Sequence, residues 1–131
     1  MSPFQRFMVT EEDLLRGVTV APGWLTCLVK ELNQEPSAAG DSLNTIVDLV
    51  IVEDGEYKGV PLRRYFNEKA PGLAVTFFEA CGAKVNKPAP GQSIQLPPWE
   101  PCKGKTIEVM VTNGEYRGRK TNVVEDFRPH T

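Results

Sequence analysis

Hydrophobic and polar residues alternate along several short stretches of the chain, which is the pattern of half-buried β-strands. In the clearest stretch, residues 106–112, we expect Ile107, Val109 and Val111 to face inward and the intervening side chains to face outward. Residues 43–52 are instead apolar at most positions, as expected for a strand in the middle of a sheet or barrel. Both patterns predict a mainly β protein.

Five strands and one helix are predicted from these patterns. The predicted strands are residues 24–32, 43–52, 60–66, 106–112 and 119–127. The helix runs from Pro71 to about Cys81, with Leu73, Phe77 and Ala80 at helical spacing. The order β-β-β-α-β-β, with the helix between the third and fourth strands, is that of the five-stranded OB-fold barrel. Another small five-stranded barrel or a sandwich is the alternative.

Two nearly identical segments connect predicted strands. Residues 55–59 read GEYKG and residues 114–118 read GEYRG, and each is interpreted as part of a hairpin. An internal duplication would produce such a pair, but the flanking residues do not match well. We therefore expect two similar turns in one barrel.

The remaining segments are less regular. A short helix is predicted before Gly17, because Thr10 is a suitable N-cap and three acidic residues follow it. Five prolines between residues 83 and 104 exclude regular structure over most of that segment, which contains Trp99. A chain of 131 residues is expected to form a single domain, with its core at about residues 20–129.

Charge is distributed unevenly along the chain. Residues 1–57 contain three basic and ten acidic side chains, whereas residues 58–131 contain twelve basic and seven acidic ones. Local potential steers an anionic partner more than net charge does, so such a partner should bind the second half.

Cysteine usage and hydropathy exclude several classes of protein. Cys27, Cys81 and Cys102 have no CxxC spacing and are expected to be buried or half-buried free thiols. A zinc site is not expected, because His130 is the only histidine. Since no apolar run approaches the ~18 residues of a membrane span and no signal pattern opens the chain, we expect a cytoplasmic protein without membrane partners.

Several short segments, in their order and spacing, resemble a family of small phage proteins. The segments are residues 22–24 (PGW), 54–59 (DGEYKG), 77–82 (FFEACG), 104–105 (GK), 116–118 (YRG) and 122–127 (NVVEDF). That family was long described only as a domain of unknown function and is now generally taken to bind single-stranded DNA. The resemblance covers roughly residues 20–129. It implies an OB-fold that acts in phage replication or recombination in the host cytoplasm, with phage recombinase or replication proteins as candidate partners.

A protein that holds single-stranded DNA needs cations for phosphates and exposed rings for stacking of bases. In OB-folds the usual surface is the second and third strands with the loops that flank them. The candidate binding residues in those positions are Lys30, Lys58, Arg63, Arg64, Tyr65, Tyr116, Arg117, Arg119 and Lys120. Arg63 and Arg64 should point to opposite faces of a regular strand. Tyr116 either packs on its turn or stacks on a base.

Other aromatic residues have structural interpretations. Phe66 and Phe77 are expected in the core. Trp24, after Pro-Gly at a strand start, is expected to close the end of the barrel, with stacking on a base as the alternative. Tyr57 packs on its hairpin turn or stacks on a base.

An enzyme is not expected, because the chain has no Ser/His/Asp or Cys/His set and no GxxxxGK[ST] loop. No cofactor is predicted either. The alternative function is a protein-interaction adaptor or a virion component, for which the proline-rich segment with Trp99 would suit a protein contact. A barrel with exposed strand edges could oligomerise, although the sequence shows no dimer seam.

Overall fold

The computed structural model describes residues 17–86, 89–91 and 94–130. The helix predicted before Gly17 lies outside these residues. The described chain forms five strands and one α-helix, which confirms the prediction of a mainly β protein with one helix between the third and fourth strands. The elements are β1 (Gly23–Pro36), β2 (Leu43–Ile51), β3 (Pro61–Asn67), α1 (Gly72–Ala80), β4 (Thr106–Tyr116) and β5 (Arg119–Pro129).

The five strands form one antiparallel sheet in the order β3-β2-β1-β4-β5. The first part of β1 pairs with β4, while its longer second part pairs with β2, so β1 joins the two halves of the sheet. The register of β1 on β2 shifts at Lys30, and that of β5 on β4 shifts at Glu125. Such bulges bend a strand and increase its twist.

Two strands extend beyond their predicted ends. The ladder of β1 continues from Leu32 to Pro36, and that of β4 continues from Thr112 to Tyr116. These extensions are mostly polar and exposed. Backbone pairing with a neighbouring strand does not require buried side chains, so hydrophobic alternation underestimated both strands.

The expectation of two similar turns for GEYKG and GEYRG is wrong. In the first segment, residues 53–59 form a longer connection outside the β2–β3 ladder. In the second, β4 continues to Tyr116 and β5 begins at Arg119, so only two residues form the turn. The different pairing partners of the flanking strands, rather than the five shared residues, decide the turn.

The core lies between the inner face of the sheet and α1. Phe66, Phe77 and Phe127 are buried and lie within ring contact of one another, which confirms the core predictions for Phe66 and Phe77. Trp99 of the proline-rich segment packs on the same cluster, with its ring centroid 4.5 Å from that of Phe78. The proline-rich segment thus contributes to the core although it is mostly irregular.

The two edge strands of the sheet approach each other. The rings of Phe66 on β3 and Phe127 on β5 have centroids 5.9 Å apart. Nearby, Arg64, two residues before Phe66, donates a hydrogen bond of 3.2 Å from Nη1 to the carbonyl of Val124 on β5. Within the described residues no ladder joins β3 to β5, so only contacts made by side chains bridge the seam between these two edge strands. β3 and β5 run in the same direction along it.

The outer part of the β4–β5 hairpin is held by the segment that precedes β1. Asn122 Oδ1 accepts a hydrogen bond of 2.8 Å from the Val20 amide, and Asn122 Nδ2 donates one of 2.8 Å to the Val18 carbonyl. Its cross-strand partner Asn113 donates to the Val20 carbonyl at 2.9 Å. The side-chain amides of Asn113 and Asn122 thus bond the backbone of this segment, as a neighbouring strand would do.

Replacing Asn122 should therefore destabilise the fold. We expect Asn122→Ala to lower the free energy of unfolding by about 1–3 kcal/mol, because two part-buried backbone groups lose their partners. Urea unfolding followed by circular dichroism measures the change. Asn33→Ala, at an exposed position of β1, is the matched control and should change stability by less than ~0.5 kcal/mol. Equal effects of both substitutions would contradict the bracing role of Asn122.

Candidate nucleic-acid interface

The tip of the β4–β5 hairpin, residues 114–121, projects beyond the part of the sheet that β1 covers, since β1 begins at Gly23 opposite Val111. Its two-residue turn consists of Arg117, with φ of 51°, and Gly118, with φ of 76°. Positive φ at both positions is what a type I′ turn requires. Arg117 is the only described non-glycine residue with positive φ, so backbone strain is concentrated at this tip.

The side chains of the hairpin tip combine an exposed ring with cations. Tyr116 is 63% exposed, and the guanidinium carbon of Arg117 lies 5.3 Å from its ring centroid. Arg119 is the cross-strand partner of Tyr116 and shares its face of the hairpin. Lys120 pairs with Glu115 across the ladder and projects to the opposite face. The tip therefore places Arg117 and Arg119 beside Tyr116, and Lys120 on the other face of the hairpin.

These three cations are not neutralised by neighbours. Among the described residues, no carboxylate forms a salt bridge with Arg117, Arg119 or Lys120. By contrast, Lys58 is 3.1 Å from Asp54 in a salt bridge. With three cations against the one carboxylate of Glu115, the tip has a net positive charge that would attract an anion.

A second exposed tyrosine lies on the outer face of β3. Tyr65 is 51% exposed, and Arg63 lies two residues before it on the same face. Arg63 Nε donates a hydrogen bond of 2.6 Å to Asp48 on β2. Hydrogen bonds to Asp48 and then to Tyr65 raise the pKa of Arg63. Asp48 thus fixes Arg63 beside Tyr65 and offsets part of its charge.

The structure gives Arg64 a different role from its neighbour. Arg63 and Arg64 project to opposite faces of β3, as predicted, because they pair with Asp48 and Val47 respectively. Arg64 crosses the seam to the carbonyl of Val124, and its guanidinium carbon lies 5.9 Å from the Phe66 ring centroid. Arg64 therefore serves the seam rather than the exposed face.

Lys30 and Lys58 belong neither to the hairpin tip with Tyr116 nor to the strand β3 with Tyr65. Lys30 is exposed at the bulge of β1, and Lys58 belongs to the connection between β2 and β3. The half-buried Tyr57 packs against the core, so of its two interpretations the structure supports packing.

The seam puts the two exposed tyrosines on a common outer surface. Arg64 of β3 contacts Val124 of β5, so Tyr65 lies beside the middle of β5. From Val124 to Arg119 the strand rises about 17 Å over five residues. The outer face of β5 therefore connects Tyr65 on β3 with Arg119 and Tyr116 at the hairpin tip.

The interpretation of Trp24 as a plug at the barrel end is wrong. Leu25 and Cys27 face the core, so the side chain of Trp24 lies on the outer face of β1. The guanidinium carbon of Arg128 lies 4.1 Å from the Trp24 ring centroid, and Arg128 Nε donates to Glu108 at 2.6 Å. The sequence showed no sign of this cluster, because its residues come from three different strands.

A cleft of about 310 Å³ opens where the paired ends of β1 and β2 meet the start of α1 and the proline-rich segment. It contains Thr45, the one buried polar residue of the described chain, which is 4% exposed. Gln34 Nε2 donates a hydrogen bond of 3.2 Å to Thr45 Oγ1. Neither residue was a candidate from the sequence, because their proximity depends on the β1–β2 register.

The cysteines offer no metal or nucleophilic centre in the described residues. Cys27 and Cys102 are buried and Cys81 is half-buried, as expected. Burial, with a smaller effect of Glu53, raises the pKa of the Cys27 thiol to about 12. A hydrogen bond with the Cys102 thiol raises the pKa of Cys81. No group of three His, Cys, Asp or Glu residues suited to a metal occurs in the described residues.

Within the same residues, no helix has the length and apolar character needed to cross a membrane. Comparison with models of known protein families finds no match for this chain, and no curated protein matches it either.

The strained turn generates a prediction about stability. Asn adopts positive φ more readily than Arg and is preferred before Gly in type I′ turns. We expect Arg117→Asn to raise the free energy of unfolding by roughly 0.5–1 kcal/mol, measured in urea. Arg119→Asn removes the same charge from a strand position and is the control, without a gain. Equal or lower stability of Arg117→Asn relative to this control would show that Arg117 is not strained.

Proposed function

We propose that this protein binds single-stranded DNA, largely independently of sequence, and that it has no catalytic activity. The observation that carries the proposal is the hairpin tip, where the exposed Tyr116 lies beside Arg117 and Arg119, with Lys120 on the other face. No carboxylate of the described residues forms a salt bridge with these three cations. Stacking of a base on an exposed ring contributes ~1–3 kcal/mol, and cations beside it bind the phosphates. Duplex DNA keeps its bases stacked on one another and offers no such contact.

The binding surface that we propose follows the outer face of β5 from Tyr116 and Arg119 to Tyr65 and Arg63. Both ends of this surface pair a tyrosine with arginine, so each end can stack one base and bind a neighbouring phosphate. The two ends are separated by about 17 Å along β5, and the length of the hairpin tip adds to this distance. A bound strand must therefore span several nucleotides to reach both ends. Arg64 is left out because its guanidinium is engaged at the seam.

We further propose that the fold is an OB-type barrel. The pairing of β1 with both β2 and β4, the helix after β3 and the approach of β3 to β5 all support it. In that fold the loop between the fourth and fifth strands flanks the nucleic acid, and the hairpin tip occupies this position. The resemblance to the phage family supports the same function, with a role in phage replication or recombination in the host cytoplasm.

The adaptor function has less support. Its main argument was Trp99 in the proline-rich segment, but Trp99 packs on Phe66, Phe77 and Phe78 of its own chain. A half-buried ring that packs in this way offers a partner protein less surface than an exposed anchor would. The hairpin tip, where three cations outnumber the one carboxylate of Glu115, is better suited to a polyanion.

Removing the charges of the hairpin tip should weaken binding and its salt dependence together. The triple variant Arg117→Gln, Arg119→Gln, Lys120→Gln should bind an oligonucleotide about tenfold less tightly or worse. Its log–log salt slope should flatten by up to about two units, at ~0.7 per lost phosphate contact. Fluorescence anisotropy at several salt concentrations measures both quantities.

The matched control removes three charges elsewhere, by Lys69→Gln, Lys103→Gln and Lys105→Gln. Two of these lysines are already in salt bridges, and all three lie away from the hairpin tip. The control should keep most of the affinity and slope. A tip variant that bound as tightly as the parent, or a parent that bound duplex equally well, would refute the proposal.

Stacking is tested separately at Tyr116. Tyr116→Ala should weaken binding by ~1–3 kcal/mol while the salt slope stays unchanged, because stacking releases no counterions. Tyr116→Phe retains the ring and should bind like the parent. The same titrations measure both variants. A loss shared by Ala and Phe would assign the effect to the hydroxyl group, and no loss in either would remove Tyr116 from the interface.

A further inference from the structure

The cleft at the end of the sheet has the size and the walls of a small ligand site. Its volume of about 310 Å³ lies at the lower end of the ~300–1,000 Å³ of ligand pockets. The Phe66 and Trp99 rings, with centroids 5.5 Å apart, form part of its wall together with Leu43 and Leu96. Two aromatic rings and two aliphatic side chains are suited to a planar, mostly apolar ring system.

Two polar groups in the cleft have unused hydrogen-bonding capacity. Thr45 Oγ1 accepts from Gln34 Nε2, which leaves the Thr45 hydroxyl hydrogen and Gln34 Oε1 without partners among the described residues. Thr45 is 4% exposed, and a buried donor without an acceptor is unfavourable. The cleft therefore presents one donor and one acceptor side by side.

Among the residues that line the cleft, the charged one does not suit a phosphate. The Glu68 carboxylate lines it and accepts a hydrogen bond of 2.8 Å from the Leu43 amide. Negative charge repels phosphate, whereas a carboxylate can accept from an amino group on a base. The cleft thus discriminates in favour of the uncharged ring and against the backbone of a nucleic acid.

We infer that this cleft binds one nucleobase of the bound strand, and that it takes a base with an exocyclic amino group beside an unprotonated ring nitrogen. Cytosine and adenine have that arrangement, and thymine has the reverse one. The Thr45 hydroxyl donates to the ring nitrogen, while Gln34 Oε1 accepts from the amino group. This inference rests on the proposed function and adds a base preference at one position.

The cleft is within reach of the proposed path of the strand. Phe66 and Asn67, which line it, directly follow the exposed Tyr65 on β3. Tyr65 faces outward and Phe66 faces the core, so a base next to the one stacked on Tyr65 enters the cleft around the end of β3, about 7 Å away at two residues of strand. The rest of the strand contacts the protein through stacking and phosphates, which tolerate any sequence.

The test compares oligonucleotides dC and dT of equal length in equilibrium titrations. The parent protein should bind the dC strand about three- to tenfold more tightly, which corresponds to the ~0.5–1.5 kcal/mol of a hydrogen bond. Thr45→Val removes the hydroxyl group and should reduce this ratio to about one. Thr45→Ser retains the hydroxyl group and should keep the ratio. Thr106→Val, at an exposed position of β4 outside the cleft, should keep it too.

A second measurement does not depend on a variant of the cleft. The chain has two tryptophans, so Trp24→Phe leaves Trp99 as the only one. Its fluorescence should change when the dC strand binds, and an abasic strand of the same length should leave it unchanged.

The outcomes separate the two proposals. Failure of both strands to bind would overturn the proposed function, and this inference with it. Binding with a dC/dT ratio near one in the parent, or with a ratio that Thr45→Val does not alter, would overturn the base site alone. A Trp99 signal that abasic strands reproduce would do the same, and would indicate that the cleft belongs to another ligand or to a partner protein.

Discussion

The packing of aromatic rings around Phe77 is the interaction on which the rest of the structure depends. Phe77 is fully buried, and its ring centroid lies 5.6 Å from Phe66, 5.1 Å from Phe127 and 5.9 Å from Trp99. These four residues come from α1, from both edge strands and from the proline-rich segment. Burial of an aromatic side chain contributes about 1.5–3 kcal/mol, and ring pairs add ~0.5–1.5 kcal/mol. The cluster therefore holds together elements that no shared ladder connects, including the two edge strands at the seam.

The candidate interface is separated from this core. The side chains of the hairpin tip are exposed or half-buried and so contribute little to the core. The position of the tip is fixed by the hydrogen bonds of Asn113 and Asn122, which flank it. Unpaired charges cost little there because water solvates them. A strained residue such as Arg117 is tolerated when the strands on both sides determine the turn. Substitutions of Tyr116, Arg119 or Lys120 should therefore change binding without the loss of a core contact.

The cleft is a consequence of the same packing. Trp99 bridges the proline-rich segment to α1 and leaves a space between that segment and the end of the sheet. Thr45 lines this space as a buried hydroxyl that accepts a hydrogen bond from Gln34. A few polar groups among apolar walls are typical of sites that bind a ligand.

The sequence by itself determined the five strands, the helix and the core positions of Phe66 and Phe77, because these follow from local periodicity and from the transfer of apolar side chains out of water. It also located the charged hairpin tip. Only the tertiary structure decided that residues 55–59 and 114–118 form different turns, that Arg63 is exposed while Arg64 holds the seam, and that Trp24 lies on the outer face. Each of these depends on strand register, on bulges or on contacts between residues distant in the chain. Those contacts are chosen by the packing of the whole core, which no short segment specifies.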